Sequence, residues 1–192
     1  MKRKARCSVS GLRRFTLIEL LVVIAIIGVL AAILVPAMLG YVRRSKITTA
    51  NTASKSIYNA LNVSLVEMEA ADLPVKTIQN KDYTTDGSTI FAQKSYQSNH
   101  ANDATDLMNT LYAKVCSYFS DVQKIQDVKF RLGEGGCSGV GVINGQYPGT
   151  YPLAITVEDY KQRTDWDADK ALAFALKDPE DDSIPEAAPE ID

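Results

Sequence analysis

The sequence is poor in the residues that build most active sites. It contains one histidine, His100, which lies in a polar stretch without a nucleophile motif beside it. Its three cysteines have neither the Cys-x-x-Cys nor the Cys/His spacing of a zinc site. A surface role for His100 is therefore favoured over a catalytic one, and no group of residues indicates an enzyme or a cofactor.

Charge of one sign is missing from each end of the chain. The first 14 residues carry six Lys/Arg and no acid, whereas residues 178–192 carry seven acids, three prolines and no base. From residue 15 onward there are 15 basic and 23 acidic side chains, a balance that argues against non-specific nucleic-acid binding. The acidic segment buries too little apolar surface to fold and is predicted to be a disordered tail.

One long apolar run follows the basic start of the chain. Residues 15–34 contain a single charge, Glu19, and twenty helical residues rise about 30 Å, the thickness of a bilayer's hydrocarbon core. A carboxylate inside such a span usually marks function. The run is too long for an ordinary secretory signal and lacks a clear Ala-x-Ala site. A secretory signal and an uncleaved signal anchor are the less favoured alternatives.

The residues around this carboxylate carry a family resemblance. The resemblance is to the N-terminal signature of type IV pilins and their relatives, the pseudopilins, and rests on Phe15, Thr16, Leu17, Ile18, Glu19, Gly28 and Pro36. It implies that a prepilin peptidase cuts between Arg14 and Phe15 and methylates the new amino terminus at Phe15. Glu19 then becomes the fifth residue. The family usually has glycine before the cut, and Gly11 offers the alternative site.

The resemblance implies a structural role, as a subunit of a type IV pilus-like extracellular filament used for adhesion, motility or surface attachment. The expected partners are other copies of the chain, the prepilin peptidase/methyltransferase, the membrane assembly platform and, before assembly, membrane lipid. Glu19 is expected to pair with a neighbouring copy's terminal amine. Gly28 is expected to allow close packing, and Pro36 to kink the helix.

Two other functions are compatible with the same signature. One is a pseudopilin of a type II secretion or DNA-uptake (competence) system, the only case in which nucleic acid is an expected partner. The other is a monomeric membrane-anchored binding protein. In all three cases the basic leader predicts a cytoplasmic amino terminus by the positive-inside rule. A single-pass membrane protein that later enters a cell-surface filament is the favoured interpretation.

The hydrophobic pattern and the resemblance together predict an α+β, pilin-like fold. Apolar residues at three- and four-residue spacing extend the first helix to about Ala71, and its outer half is expected to pack on a small antiparallel sheet. The predicted division of the chain is a leader (1–14), a transmembrane and filament-core half of the first helix (15–38), a globular head that includes the outer half (39–177) and the acidic tail (178–192).

Local patterns predict the remaining elements. A second helix over 107–119 is expected to be capped by Asp103 or Thr105. Strands are expected at 128–132, 139–143 and 153–157, with a short one around 89–91. Asn144-Gly145 predicts a type I′ hairpin turn, and a last short helix is predicted over 165–177.

Two cysteines, Cys116 and Cys137, remain once the leader with Cys7 is removed. An even number in an exported domain predicts a disulfide, and closing that loop contributes about 3 kcal/mol in the chain-entropy model. The alternative is a pair of thiols in a reducing compartment.

Three further patterns have simpler structural explanations. Asp165, Asp167 and Asp169 resemble the start of a calcium loop, but Lys170 replaces the required glycine, so acids at a helix N terminus are the favoured interpretation. The five glycines of 133–141 precede a strand rather than a helix, which excludes a phosphate loop. The aromatic residues at 147, 151, 160 and 166 are expected to pack in the core rather than to form an adhesive surface.

Overall fold

The computed structural model describes residues 16–86, 104–163 and 165–177. The chain divides into two units, residues 1–41 and 42–192, and the first helix, α1 (Leu17–Ala70), contributes to both. The long helix expected from the apolar periodicity is therefore confirmed. Pro36 lies inside α1, which continues past it.

The second unit is built on a four-stranded antiparallel sheet. Its strands are β1 (Lys81–Asp86), β2 (Asp127–Gly133), β3 (Gly136–Asn144) and β4 (Tyr147–Tyr151), which lie in that order across the sheet. Three shorter helices accompany it, α2 (Ala104–Tyr118), α3 (Val157–Gln162) and α4 (Ala168–Leu176). Short 3-10 helices occupy Val75–Ile78 and Ser120–Lys124. The predicted α+β class is confirmed.

Helices cover both faces of the sheet. The outer half of α1 and helix α2 share one core cluster with Val140 and Val142 of β3. Between those two valines, Gly141 approaches Ala171 and Leu172 of α4 so closely that a Cβ would collide with them. Because successive strand residues face opposite sides, α4 lies on the face away from α1 and α2.

Two asparagines three helical turns apart connect α1 to the sheet. Asn51 Oδ1 accepts a 2.9 Å hydrogen bond from the backbone N–H of Thr150 in β4. Asn62 Oδ1 accepts one of the same length from the backbone N–H of Cys137 in β3. A Cβ on Gly149 of β4 would collide with the backbone of Ala50, so helix and strand are in direct backbone contact. These contacts fix the position of α1 along the strands.

The prediction of a strand over residues 153–157 is wrong. β4 ends at Tyr151, and α3 begins at Val157. The cause is a local capping box, which starts a helix. The Thr156 hydroxyl oxygen accepts a hydrogen bond from the backbone N–H of Asp159, and the Asp159 carboxylate accepts one from the backbone N–H of Thr156. The alternating pattern reflected a buried loop residue, Ile155.

The hairpin between β3 and β4 is confirmed, but its turn differs from the predicted one. The register pairs Asn144 with Tyr147, so the two loop residues are Gly145 and Gln146 rather than Asn144 and Gly145. Only Gly145 of these has a positive φ, 67°. Glycine first with a positive φ is typical of a type II′ rather than a type I′ turn.

Residues 75–86 contain two elements that the sequence analysis did not predict. They form a 3-10 helix with buried Val75 and Ile78, followed by edge strand β1. Thr105 lies inside α2 and does not cap it. The strand predicted at 89–91, the capping residue Asp103, His100 and the acidic tail 178–192 lie outside the described residues.

Candidate functional site: the apolar N-terminal part of α1

The first unit consists, as far as it is described, of one helix with an exposed apolar surface on every side. Leu17–Pro36 has a mean hydropathy of 3.1 and is long and apolar enough to cross a membrane. None of it is buried, and Val23, the least exposed large apolar side chain of residues 17–41, is still 47% exposed. A helix that is apolar on all sides requires lipid or other protein around it.

Glu19 is engaged at the start of this helix. Its Oε2 accepts a 2.9 Å hydrogen bond from the backbone N–H of Thr16 and a 2.7 Å bond from the Thr16 hydroxyl. The Thr16 hydroxyl in turn accepts from the backbone N–H of Glu19 at 3.3 Å. These contacts form a capping box. The Thr-x-x-Glu spacing of the sequence specifies this motif, but the sequence analysis did not predict it.

The other residues of the predicted assembly segment lie along α1 or outside the described chain. A Cβ on Gly28 would have no neighbour within 4 Å, so the chain's own packing does not require glycine there. Pro36 lies at the end of the apolar run. Arg14 and Phe15, the predicted cleavage site, lie outside the described residues.

The two cysteines of the second unit are buried, but their sulfur atoms are not bonded to each other. Cys116 Sγ accepts a hydrogen bond from Gln123 Nε2 at 3.7 Å, and Cys137 Sγ donates one to the Gly139 carbonyl at 3.5 Å. The Cys116–Cys137 disulfide stays a prediction. Its two sulfurs have separate polar partners, as in the thiol alternative, and burial raises the pKa of Cys137 to about 12.

The acids at 165–169 have partners within their own chain. Asp167 caps α4 by accepting from the backbone N–H of Lys170 at 2.8 Å. Asp165 pairs with Lys170 at 2.5 Å, a contact that lowers the pKa of its carboxyl. Asp169 pairs with Lys129. These acids thus stabilise the start of a helix, as predicted, and the described residues contain no His/Cys/Asp/Glu cluster suited to a metal.

The aromatic residues near the hairpin pack against one another. Tyr147 and Tyr160 lie with ring centroids 5.6 Å apart, and Trp166 contacts Phe174 edge to face at 5.8 Å. With Ile47 and Ile155 they form a second, smaller apolar cluster. Packing roles are the interpretation that these contacts favour.

Comparison with known proteins matches the N-terminal region of the chain. It is 52% identical over 48 residues to the type IV major pilin protein PilA of Myxococcus xanthus, and 40% identical over 58 residues to the type IV major fimbrial protein FimA of Dichelobacter nodosus. A fimbrial protein of Moraxella nonliquefaciens is 44% identical over 50 residues. The predicted resemblance to type IV pilins is confirmed.

The extent of the pilin match is limited. The three alignments cover 25%, 30% and 26% of this chain, and the chain spans only 22%, 36% and 32% of those pilins and fimbrial proteins. No family model and no solved structure matches the chain. The similarity to pilins is therefore limited to the N-terminal segment. Most of the second unit has no counterpart in these alignments.

Proposed function

We propose that the chain is a structural subunit of a type IV pilus-like extracellular filament and has no enzymatic activity. The observation that carries this proposal is the uncovered apolar helix Leu17–Pro36 with one carboxylate near its start, in a region similar to major pilins. In the membrane, lipid covers this helix. In the filament, the same helix of other copies replaces the lipid.

The proposed subunit enters the membrane as a precursor with its basic leader in the cytoplasm. A prepilin peptidase then cuts between Arg14 and Phe15, and Phe15 is N-methylated. The new amino group is a cation that can pair with Glu19 of a neighbouring copy. Among the described residues nothing donates a hydrogen bond to Glu19 Oε1, and a carboxylate has about four acceptor positions, so the intrachain capping box leaves room for this pairing.

Assembly of such a filament needs contacts that do not close into a ring. Because the Leu17–Pro36 part of α1 is apolar and exposed on all sides, this part of one helix can contact several others at once, as an open helical array requires. Gly28 supports close approach between helices because no group in the described part of the chain fills the space beside it. The membrane assembly platform is the further partner that this route requires.

Electron microscopy and mass spectrometry of filaments sheared from cells test the proposal. Abundant long fibres composed of this chain are expected. If the chain is found only in membranes, the filament proposal is contradicted, and a pseudopilin of a secretion or DNA-uptake system or a monomeric anchored protein replaces it.

Mass spectrometry of the N-terminal peptide tests the processing step separately. The expected peptide begins at Phe15 and carries one additional methyl group. A peptide that begins at Leu12, or that retains Arg13-Arg14, contradicts the proposed cleavage site without affecting the filament proposal.

A further inference from the structure

The charges in the middle of α1 are all of one sign. Between Glu19 and Glu67 the helix carries four charged side chains, and all four are cationic. Three of them, Arg43, Arg44 and Lys46, fall within four consecutive residues and are here called the basic cluster. The chain from residue 15 onward has an excess of acids, so the charge of this cluster is opposite in sign to the net charge of that part of the chain.

The basic cluster is exposed and lacks a carboxylate partner in the described parts of the chain. Other cations of the second unit do have one, such as Lys114 with Glu67, at 2.7 Å, and Arg131 with Asp82, at 2.6 Å. Arg43 and Lys46 lie three residues apart on the helix, and like charges at this spacing repel each other by a few tenths of a kcal/mol. An anion from outside the chain would relieve this repulsion.

The position of the cluster in the sequence indicates which anion is near. Arg43 follows Pro36, the last residue of the apolar span, by seven residues. Seven residues cover about 10 Å as a helix and about 25 Å fully extended. The polar headgroup layer begins where the hydrocarbon ends and is roughly 5–8 Å thick on each side.

The side chains can close much of the remaining distance. Long Arg and Lys side chains can extend from the backbone toward a membrane surface and place their charged ends at the headgroup level. Guanidinium groups bind phosphate oxygens through two parallel hydrogen bonds. The cluster thus has the reach and the chemistry for phosphate at the membrane surface.

We propose that Arg43, Arg44 and Lys46 bind the phosphate groups of anionic phospholipids while the chain is in the membrane. The inference rests on the membrane-resident stage of the proposed function and not on filament formation. The lipid would hold the waiting subunit at a fixed depth, and the subunit would release it when it leaves the bilayer.

The test is lipid binding by the full chain in neutral detergent micelles, followed by native mass spectrometry. The probes are phosphatidylglycerol, which is anionic, and phosphatidylcholine, which is zwitterionic. The variant R43Q/R44Q/K46Q removes the cluster. The matched control K76Q/K161Q/K177Q removes the same charge from three exposed positions elsewhere.

Selective binding of phosphatidylglycerol to the wild type and to the control is expected. Each basic residue near an anionic surface is worth about five-fold in affinity, so the cluster variant should bind on the order of 100-fold more weakly. High salt should weaken the wild-type interaction, whereas excess inorganic phosphate should not displace the lipid.

Four results would overturn the inference. These are equal binding of both lipids, retained selectivity in the cluster variant, equal loss in the control, and full displacement by inorganic phosphate. A cluster variant that keeps lipid binding but no longer forms fibres would assign the three cations to carboxylates of another copy instead. Selective lipid binding by a chain that never forms fibres would uphold this inference while the filament proposal fails.

Discussion

At the scale of single residues, Asn62 couples two elements through one side chain. Its Oδ1 accepts from the Cys137 N–H, and its Nδ2 donates to the Tyr58 carbonyl at 3.0 Å. Asn62→Ala leaves the Cys137 N–H without this acceptor, so we expect the free energy of unfolding to fall by about 1–3 kcal/mol. Thermal unfolding of the full chain in detergent, followed by near-ultraviolet circular dichroism, measures the loss. The exposed neighbour Asn59→Ala is the control and should change stability by less than about 0.5 kcal/mol; equal effects would contradict the role of Asn62.

Cys137 gives a prediction on reactivity at the same scale. Because burial raises its pKa to about 12, very little of this thiol is ionised at pH 8, and the thiolate is the reactive form. We expect maleimide to leave Cys137 unlabelled in the folded chain and to label it in urea that contains a reductant. Mass spectrometry of the labelled peptides provides the measurement. Labelling of Cys137 in the folded chain within minutes contradicts the burial argument. Labelling in urea that requires the reductant supports the predicted Cys116–Cys137 disulfide.

At the scale of elements, the edge strand β1 is held partly by a cross-strand ion pair. Asp82 lies directly opposite Arg131, whose Nε and Nη2 donate to the two carboxylate oxygens at 2.6 and 3.0 Å. The Arg131 hydrogen bonds hold the pKa of Asp82 below its ordinary value of 3.8. The folded chain therefore binds fewer protons there, and the stabilisation is present above that value and is lost as pH falls through the folded pKa.

We accordingly expect Asp82→Asn to lower the free energy of unfolding by about 0.2–1 kcal/mol at neutral pH, since the pair is partly exposed. The difference from wild type should disappear as pH falls through the folded pKa of Asp82, which lies below 3.8. Urea unfolding at several pH values measures it, with Asp72→Asn as a surface control. A difference that is constant with pH would show that the ion pair is not its source.

Several elements were predictable because their patterns are local. The periodicity of the outer half of α1 and the alternation of β2 both reflect one buried face, which the spacing of apolar residues in the sequence reveals. Val157 was assigned to a strand because its pattern matched one, although the Thr156–Asp159 capping box requires a helix there. The contacts of Asn51 and Asn62 with the sheet were not predictable, since they join residues far apart in the chain.

At the scale of the candidate site, the Glu19 region was identified from sequence, but its capping box was missed. The apolar run and its single carboxylate can be identified from the sequence alone. The hydrogen bonds between Thr16 and Glu19 mean that the carboxylate has a role within its own helix in addition to any role between copies. The two roles call for variants that separate them.

At the scale of the whole molecule, two substitutions of Glu19 separate capping from charge pairing. Glu19→Gln keeps a side-chain acceptor for the capping box but removes the charge, whereas Glu19→Val removes both. We expect both variants to insert in the membrane, since each makes the span less charged, and neither to form fibres. Electron microscopy of cells with the variant as the sole subunit, with membrane fractionation, gives both readouts. Normal fibres from Glu19→Gln would contradict charge pairing, and normal fibres from both variants would make Glu19 merely tolerated.

The two asparagine contacts between α1 and the sheet also have a mechanical consequence. A force applied along the axis of α1 acts on the hydrogen bonds of Asn51 and Asn62 in parallel. It also acts on the close backbone contact between Gly149 and Ala50. The second unit should therefore resist tension in shear, with both contacts breaking together rather than one after the other. Single-molecule pulling on α1 should show a lower rupture force for Asn62→Ala than for Asn59→Ala. Equal rupture forces would mean that the load passes through the apolar core alone.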